Sequence, residues 1–205
     1  MKFLAIDTSG AHLTVAAING ATTAFKYESN CGVRHSVSLM PQIESATEES
    51  GLVLKDADFI ACAVGAGSFT GIRIGVATAK ALAFSFGVKC LAITSFDTIA
   101  YNISGREEKK LLAVINAGHG GYYVCGYDKL KVTFLPKYVL TEELKRLSEE
   151  YILCAGEEIA GFDADIADTG KGLIAAAKAK ADNATFDYDV LNPLYIRKSQ
   201  AEEGR

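Results

Sequence analysis

Two stretches hold the residues whose types and spacing could do chemistry. The first is "LAIDTS", residues 4–9, where an apolar run ends on Asp7 and two hydroxyls follow, Thr8 and Ser9. Followed by a further apolar run, this is a hairpin with a carboxylate and two hydroxyls at its bend. The second is "AVGAGSFTGIRIG", residues 63–75, a glycine-rich link between apolar runs. It fits neither phosphate signature. A P-loop needs Lys after its last glycine, where Ile72 stands, and the dinucleotide fingerprint needs a third glycine where Thr70 stands. The glycines then read as a bend: Gly65 and Gly67 supply positive φ, and Thr70 is placed to cap a helix starting near Gly71. Free N–H groups at that helix start leave anion binding as a lesser alternative.

Other chemistries lack parts. His12, His35 and His119 form no H-x-x-x-H pair, and Ser68 lies in "GSFTG" rather than in G-x-S-x-G. Five cysteines without a C-x-x-C pair lie mostly in apolar runs such as "FIACAV", which reads as buried reduced thiols. The expectation is no metal and no cofactor.

The elements that would position these groups follow from periodicity. "KFLAI" is a strand ending at Asp7, "LTVAAI" its hairpin partner and "TAFKYE" a third strand. "HSVSLMPQIESATEES" reads as a helix closed by Gly51 and kinked at Pro41. A buried strand "ADFIACAVG", the helix "IRIGVATAKALAFSFG" and the strand "KCLAIT" complete an α/β lobe. Polar "NISGREEKK", residues 102–110, reads as a link, giving an N-terminal lobe over 1–105 and a C-terminal lobe over 106–205. Residues 2–18 set over 111–127 match without a gap, with Asn116 falling on Asp7, so the second lobe begins as a repeat of the first. The helix "TEELKRLSEE", the strand "YILCAG" and the Ala-rich "GLIAAAKAKAD" leave that lobe short.

The chain of 205 residues is 49% apolar, enough to bury a core alone. A net charge of −4 argues against gripping nucleic acid unaided, so RNA would be reached only through a partner. No apolar run nears the ~20 residues that span a bilayer and no charged leader with an apolar stretch opens the chain. A cytosolic protein with no membrane contact is expected.

The helix over 71–86 is apolar on two sides, one carrying Ile72, Val76, Ala79, Ala83 and Phe86, the other Ile74, Ala77, Ala81 and Phe84. One side can pack on a sheet; the other needs a cover, either from the chain itself or from a partner. Gly75, Ala79 and Ala83 would let a partner helix approach closely.

Duplicated lobes, each opening on a strand-turn-strand with an acidic position, resemble the actin-like ATPase superfamily, with its two-lobed ribonuclease H-like α/β fold and here a reduced second lobe. In that superfamily the hairpin carboxylates position Mg²⁺ and water beside a phosphate, so the resemblance implies Asp7, Thr8 and Ser9 as residual phosphate-site candidates, with Asn116 leaving at most half of the apparatus. More narrowly, "LAIDTS", "HS" at 35–36, "GSFTGIRIGVATAKALA" and "NPLYIRKSQA" resemble the bacterial TsaB (YeaZ) family, once labelled glycoprotease-like, and these motifs span residues 3–200. The resemblance implies a non-catalytic subunit that supports TsaD in transferring threonylcarbamoyl to the adenosine beside the tRNA anticodon, with the ATPase TsaE as third component. A homodimer in TsaD's absence is the companion expectation. It also implies that residues 35–50 and 71–86 form the partner surface, through His35, Ser36, Leu39, Met40, Ile43, Arg73, Ala79, Lys80 and Ala83. Three positions depart from the family pattern: Ala66 for Pro, Asn116 for Asp, and "AGHGG", with Gly118 and His119, for a turn that carries arginines. The alternative is a stand-alone ATPase or glycoprotease-type hydrolase on the same fold.

Overall fold

A computed structural model describes residues 1–103 and 110–197. In the first lobe β1 (Lys2–Asp7), β2 (Leu13–Asn19) and β3 (Thr22–Glu28) form an antiparallel meander. The helix α1 (His35–Ser50), β4 (Phe59–Ala63), α2 (Phe69–Phe86) and β5 (Lys89–Ile93) follow, and β4 and β5 join parallel to β1, giving the order β3-β2-β1-β4-β5. The short α3 (Ser95–Ala100) ends the lobe. The second lobe repeats the plan: β6 (Leu111–Gly118), β7 (Gly121–Asp128), β8 (Lys131–Leu140), α4 (Thr141–Glu150), β9 (Ile152–Ala155), β10 (Asp165–Ile166) and α5 (Thr169–Ala179), with sheet order β10-β9-β6-β7-β8. This is the duplicated ribonuclease H-like plan of actin-like ATPases. The second lobe is reduced at one point: residues 156–164 hold no helix where the first lobe has α2.

The last helix of each lobe crosses over. Phe96, Ile99 and Ala100 of α3 pack with Leu111, Ala113, Cys125 and Tyr127 under the second sheet. Leu173, Ala176 and Ala177 of α5 pack with Phe3, Ala5, Ala16 and Ile18 under the first. The Ala-rich helix therefore does not stay with the second lobe. Its small side chains let it lie close on β1 and β2, and the chain after it remains on the first lobe, where Cys90 and Thr185 exchange backbone hydrogen bonds, Leu191 is buried and Leu194 N–H donates to the Val64 carbonyl. The expected division at 105/106 falls within residues 104–109, outside the described residues, as do residues 198–201 of the "NPLYIRKSQA" motif. Helix α5 and Leu191 pack on the first lobe, whereas Ile196 returns to the core under the second sheet and Arg197 lies over the Tyr138 ring, so the segment after α5 touches both lobes.

The repeat is real, but the gapless match slips by one residue in β6. Leu4 and Ile6 lie in the core under α1, as Leu112 and Val114 lie under α4. Asp7 stands opposite Thr14, and Ile115 opposite Tyr123. Side chains alternate across a strand, so Ile115, not Asn116, is the counterpart of Asp7. A bulge between Asn116 and Gly118 absorbs the additional residue.

Candidate functional site

The glycine-rich loop and the Asp7 turn are built against each other. Gly65 and Gly67 hold φ of 109° and 150°, the positive values a bend here requires. A Cβ at Gly67 would lie 2.1 Å from the Ser9 carbonyl oxygen, and one at Gly71 would lie 2.1 Å from that of Thr8. The Ser68 N–H donates to the Ser9 carbonyl at 2.7 Å, and the Thr8 hydroxyl donates to the Gly71 carbonyl at 2.7 Å. The space a phosphate would need is filled by this chain's own hairpin. Ser68, not Thr70, caps α2, its Oγ accepting from Gly71 N–H at 3.2 Å. The helix thus begins at Phe69, two residues earlier than its glycine spacing predicts.

Asp7 and Ser9, with Ser95, Thr98 and Ile99 of α3 and Val114 to Ala117 of β6, line a cleft of about 410 Å³ between the lobes. Asp7 is 2% exposed; its Oδ1 accepts from the Ser9 N–H at 2.8 Å and the Ser9 hydroxyl at 2.7 Å. Thr8 is fully buried and points away into α2, so it leaves the candidate phosphate group. Asn116 is exposed and its Oδ1 accepts from Gly118 N–H, which holds the second turn rather than a ligand. His12 Nε2 lies 3.3 Å from the Thr169 hydroxyl, and among the lining residues there is no lysine or arginine. Among the described residues no group of three His, Cys, Asp or Glu is placed to hold a metal.

A buried knot behind the cleft ties the lobes. The Asp97 carboxylate accepts from Thr94 N–H at 2.9 Å, from the Tyr127 hydroxyl of the second lobe at 3.1 Å, and from Lys180, beyond α5, at 2.6 Å. Burial, reinforced by the Asp97 charge, pushes the Tyr127 hydroxyl far above its usual range. Residues 94–97, "TSFD", are a capping box with Asp in the place of Glu, a signal the sequence carried and the element reading passed over.

The two helices expected to meet a partner divide differently from that expectation. His35, Leu39, Ile43, Ala79 and Ala83 are at most 2% exposed and belong to the chain's own core. They sit on the faces of α1 and α2 turned to the sheet, because both helices need their best apolar stripe there. His35 opens α1 with its ring between two carbonyl oxygens, Gly32 at 2.6 Å and His12 at 3.0 Å. Ser36, Met40 and Arg73 are exposed and Lys80 is half-buried. The outward faces carry Val37 and Met40 on α1, and Thr70, Arg73, Ala77, Ala81 and Phe84 on α2, at helical spacing. Phe84 is 72% exposed and Val37 74%. The strap after α5 borders this face: Tyr195 stacks on Phe69 and accepts from Arg73 Nε at 2.7 Å, Asp189 pairs with Lys80 at 2.7 Å, and Tyr188 meets Phe84 edge-on. α1 runs through Pro41 to a left-handed Gly51 cap. All five cysteines are buried and free; burial pushes the Cys125 thiol up to about 11.

A duplicated ribonuclease H-like plan of the actin-like type, in which one hairpin carries a carboxylate and the other presents Ile115 at the matching place, defines the fold class and its one-sided cleft. A family model described as TsaD, tRNA N6-adenosine threonylcarbamoyltransferase, matches residues 29–153. The chain is 30% identical to the tRNA threonylcarbamoyladenosine biosynthesis protein TsaB of Bacillus subtilis (strain 168), over 98% of this chain and 96% of that one. It is 25% identical to the TsaB protein of Escherichia coli (strain K12), over 98% and 96%. The structure of YeaZ from Pseudomonas aeruginosa shares the fold at a TM-score of 0.75 and 20% identity, covering 95% of this chain and all of that one. The chain belongs to the TsaB (YeaZ) family of tRNA threonylcarbamoyladenosine biosynthesis.

Proposed function

We propose that this chain is a non-catalytic subunit that binds a TsaD-type threonylcarbamoyltransferase and holds it in working form, using the outward faces of α1 and α2. The observation that carries this reading is the exposed stripe Thr70, Arg73, Ala77, Ala81, Phe84 on α2, together with exposed Val37 and Met40 on α1. Leaving a large apolar side chain wet forgoes about 1.5–3 kcal/mol, and two alanines at the stripe's centre allow a partner helix to approach closely. Arg73 and Lys80 supply a polar border. The match of residues 29–153 to the transferase family favours a partner of like fold, met helix pair to helix pair. Ile115 in place of a second hairpin carboxylate supports leaving the chemistry to that partner. A TsaE-type ATPase is the third component, tRNA is reached only through the complex, and without a partner the same face pairs two copies of this chain.

The test is association with the same organism's TsaD-type protein by isothermal titration. Ala77→Glu and Ala81→Glu, at exposed positions, are expected to keep the far-UV circular dichroism spectrum and weaken association at least tenfold. Lys131→Glu on the second lobe is expected to change nothing. Full association by both alanine variants would refute the assignment of this face.

A further inference from the structure

We infer that the inter-lobe cleft is a binding site for a small organic cation, a primary ammonium group on an apolar body, and that it excludes phosphate. The argument runs through the direction of each hydroxyl proton on the cleft floor. An ionised carboxylate only accepts, so Ser9 donates its proton to Asp7 Oδ1 at 2.7 Å. The Ser9 oxygen then accepts from Ser95, whose hydroxyl lies 2.8 Å away. Thr98 spends its own proton on the Ser95 carbonyl at 2.8 Å. Three hydroxyls thus spend their protons on acceptors of the protein, and the Ser95 oxygen is left as an acceptor at the cavity lining.

Asp7 completes an acceptor-lined floor. Its Oδ1 carries both Ser9 bonds, while Oδ2 has no hydrogen-bond partner among the described residues, although the side chain is 2% exposed and lines the cavity. That oxygen opens on the cavity, since among the described residues the fully buried side-chain oxygen without a partner is Thr14 Oγ1, and it is left to accept from a donor that enters the cleft. Glu157 adds a second negative charge at the rim, and among the lining residues no lysine or arginine offsets the two. At this floor a phosphate would meet lone pairs and the Asp7 charge, the donors of His12 and Thr169 lying elsewhere on the lining; an ammonium brings three donors to the floor. Ile99 of α3, with Ile115 and Tyr123 of the second lobe, adds apolar surface that can take a hydrocarbon body. A divalent metal fits less well, because it asks for about six oxygen ligands in a closed shell. The cavity of about 410 Å³ falls within the range of small-molecule sites, about 300–1,000 Å³.

The test is an NMR titration of the isotopically labelled chain at neutral pH with n-hexylamine, 1-hexanol, hexanoate, inorganic phosphate and MgCl₂ in separate arms. Hexylamine is expected to shift the resonances of Asp7, Ser95, Val114 and Ile115 saturably, with hexanol at least tenfold weaker and hexanoate, phosphate and Mg²⁺ silent at the cleft. Asp7→Asn, which keeps an acceptor for Ser9, should weaken hexylamine at least tenfold. Shifts at these residues from phosphate, hexanoate or Mg²⁺ with none from hexylamine would overturn the inference, as would unchanged amine affinity in Asp7→Asn. A second pair of variants reads the cavity without any added ligand. Ile115→Lys tethers an ammonium in the cleft and should melt at a higher temperature than Ile115→Glu and no longer take hexylamine; equal melting temperatures, or the reverse order, would contradict a cation-selective floor.

Discussion

At the residue scale, the glycine-rich stretch is a fitted joint rather than a ligand loop. Gly71 has no room for a β-carbon because the Thr8 carbonyl oxygen stands where it would go. Gly71→Ala is therefore expected to destabilise the fold by about 1–3 kcal/mol, the usual consequence of overpacking a tight contact, read as a lower urea midpoint. Tyr127 gives a prediction in pH. Its hydroxyl is held protonated in the folded state by burial and by the Asp97 charge, whereas in the unfolded chain it ionises near its ordinary value of 10. The stability this group contributes is complete below that value and declines above it, because the unfolded state then releases a proton the folded state keeps. Above pH 10 the parent chain should lose up to about 1.4 kcal/mol per pH unit more than Tyr127→Phe does. Parallel stability curves for the two proteins in that range would show that Tyr127 titrates alike folded and unfolded.

The element scale is where periodicity served best and where it misled. Both stripes of α2 are legible as apolar, and periodicity alone cannot say which one faces the sheet. Packing decides it: the stripe with Gly71, Gly75 and Ala79 lies closest to the Asp7 hairpin and β4, because only small residues fit there. The alanines expected to meet a partner are for that reason interior, and Ala77 and Ala81, two residues away and so about half a turn round the helix, face out. Ala79→Glu should unfold the chain, since it buries an unpaired charge, while Ala81→Glu should fold normally; thermal melts of the pair separate the two faces in one experiment. The strap over 185–197 left no periodic trace. Its hold comes from single long-range contacts, Tyr195 on Phe69 and Leu191 in the core, that no local window contains.

For the whole molecule, the duplication could be read from the hairpins because strand alternation repeats in both. The crossing of α3 and α5 could not, since each helix is apolar in the same way whichever sheet it covers. The one-residue slip that places Ile115 across from Asp7 was hidden by a bulge, a feature of pairing rather than composition. Together these features describe two lobes clasped by exchanged helices and the Asp97 knot, with a cleft that has a hairpin carboxylate on one side and a helix face left uncovered. Such a molecule is expected to act by binding, and its ATP turnover with Mg²⁺ should not exceed that of Asp7→Ala. The most direct measurement of the central claim is threonylcarbamoyl transfer to unmodified tRNA by the same organism's TsaD-type and TsaE-type proteins, with this chain, without it, and with Ala81→Glu in its place. The account predicts product only with the unaltered chain present, and a loss with Ala81→Glu that matches its loss of association; transfer at full rate in the chain's absence would contradict it.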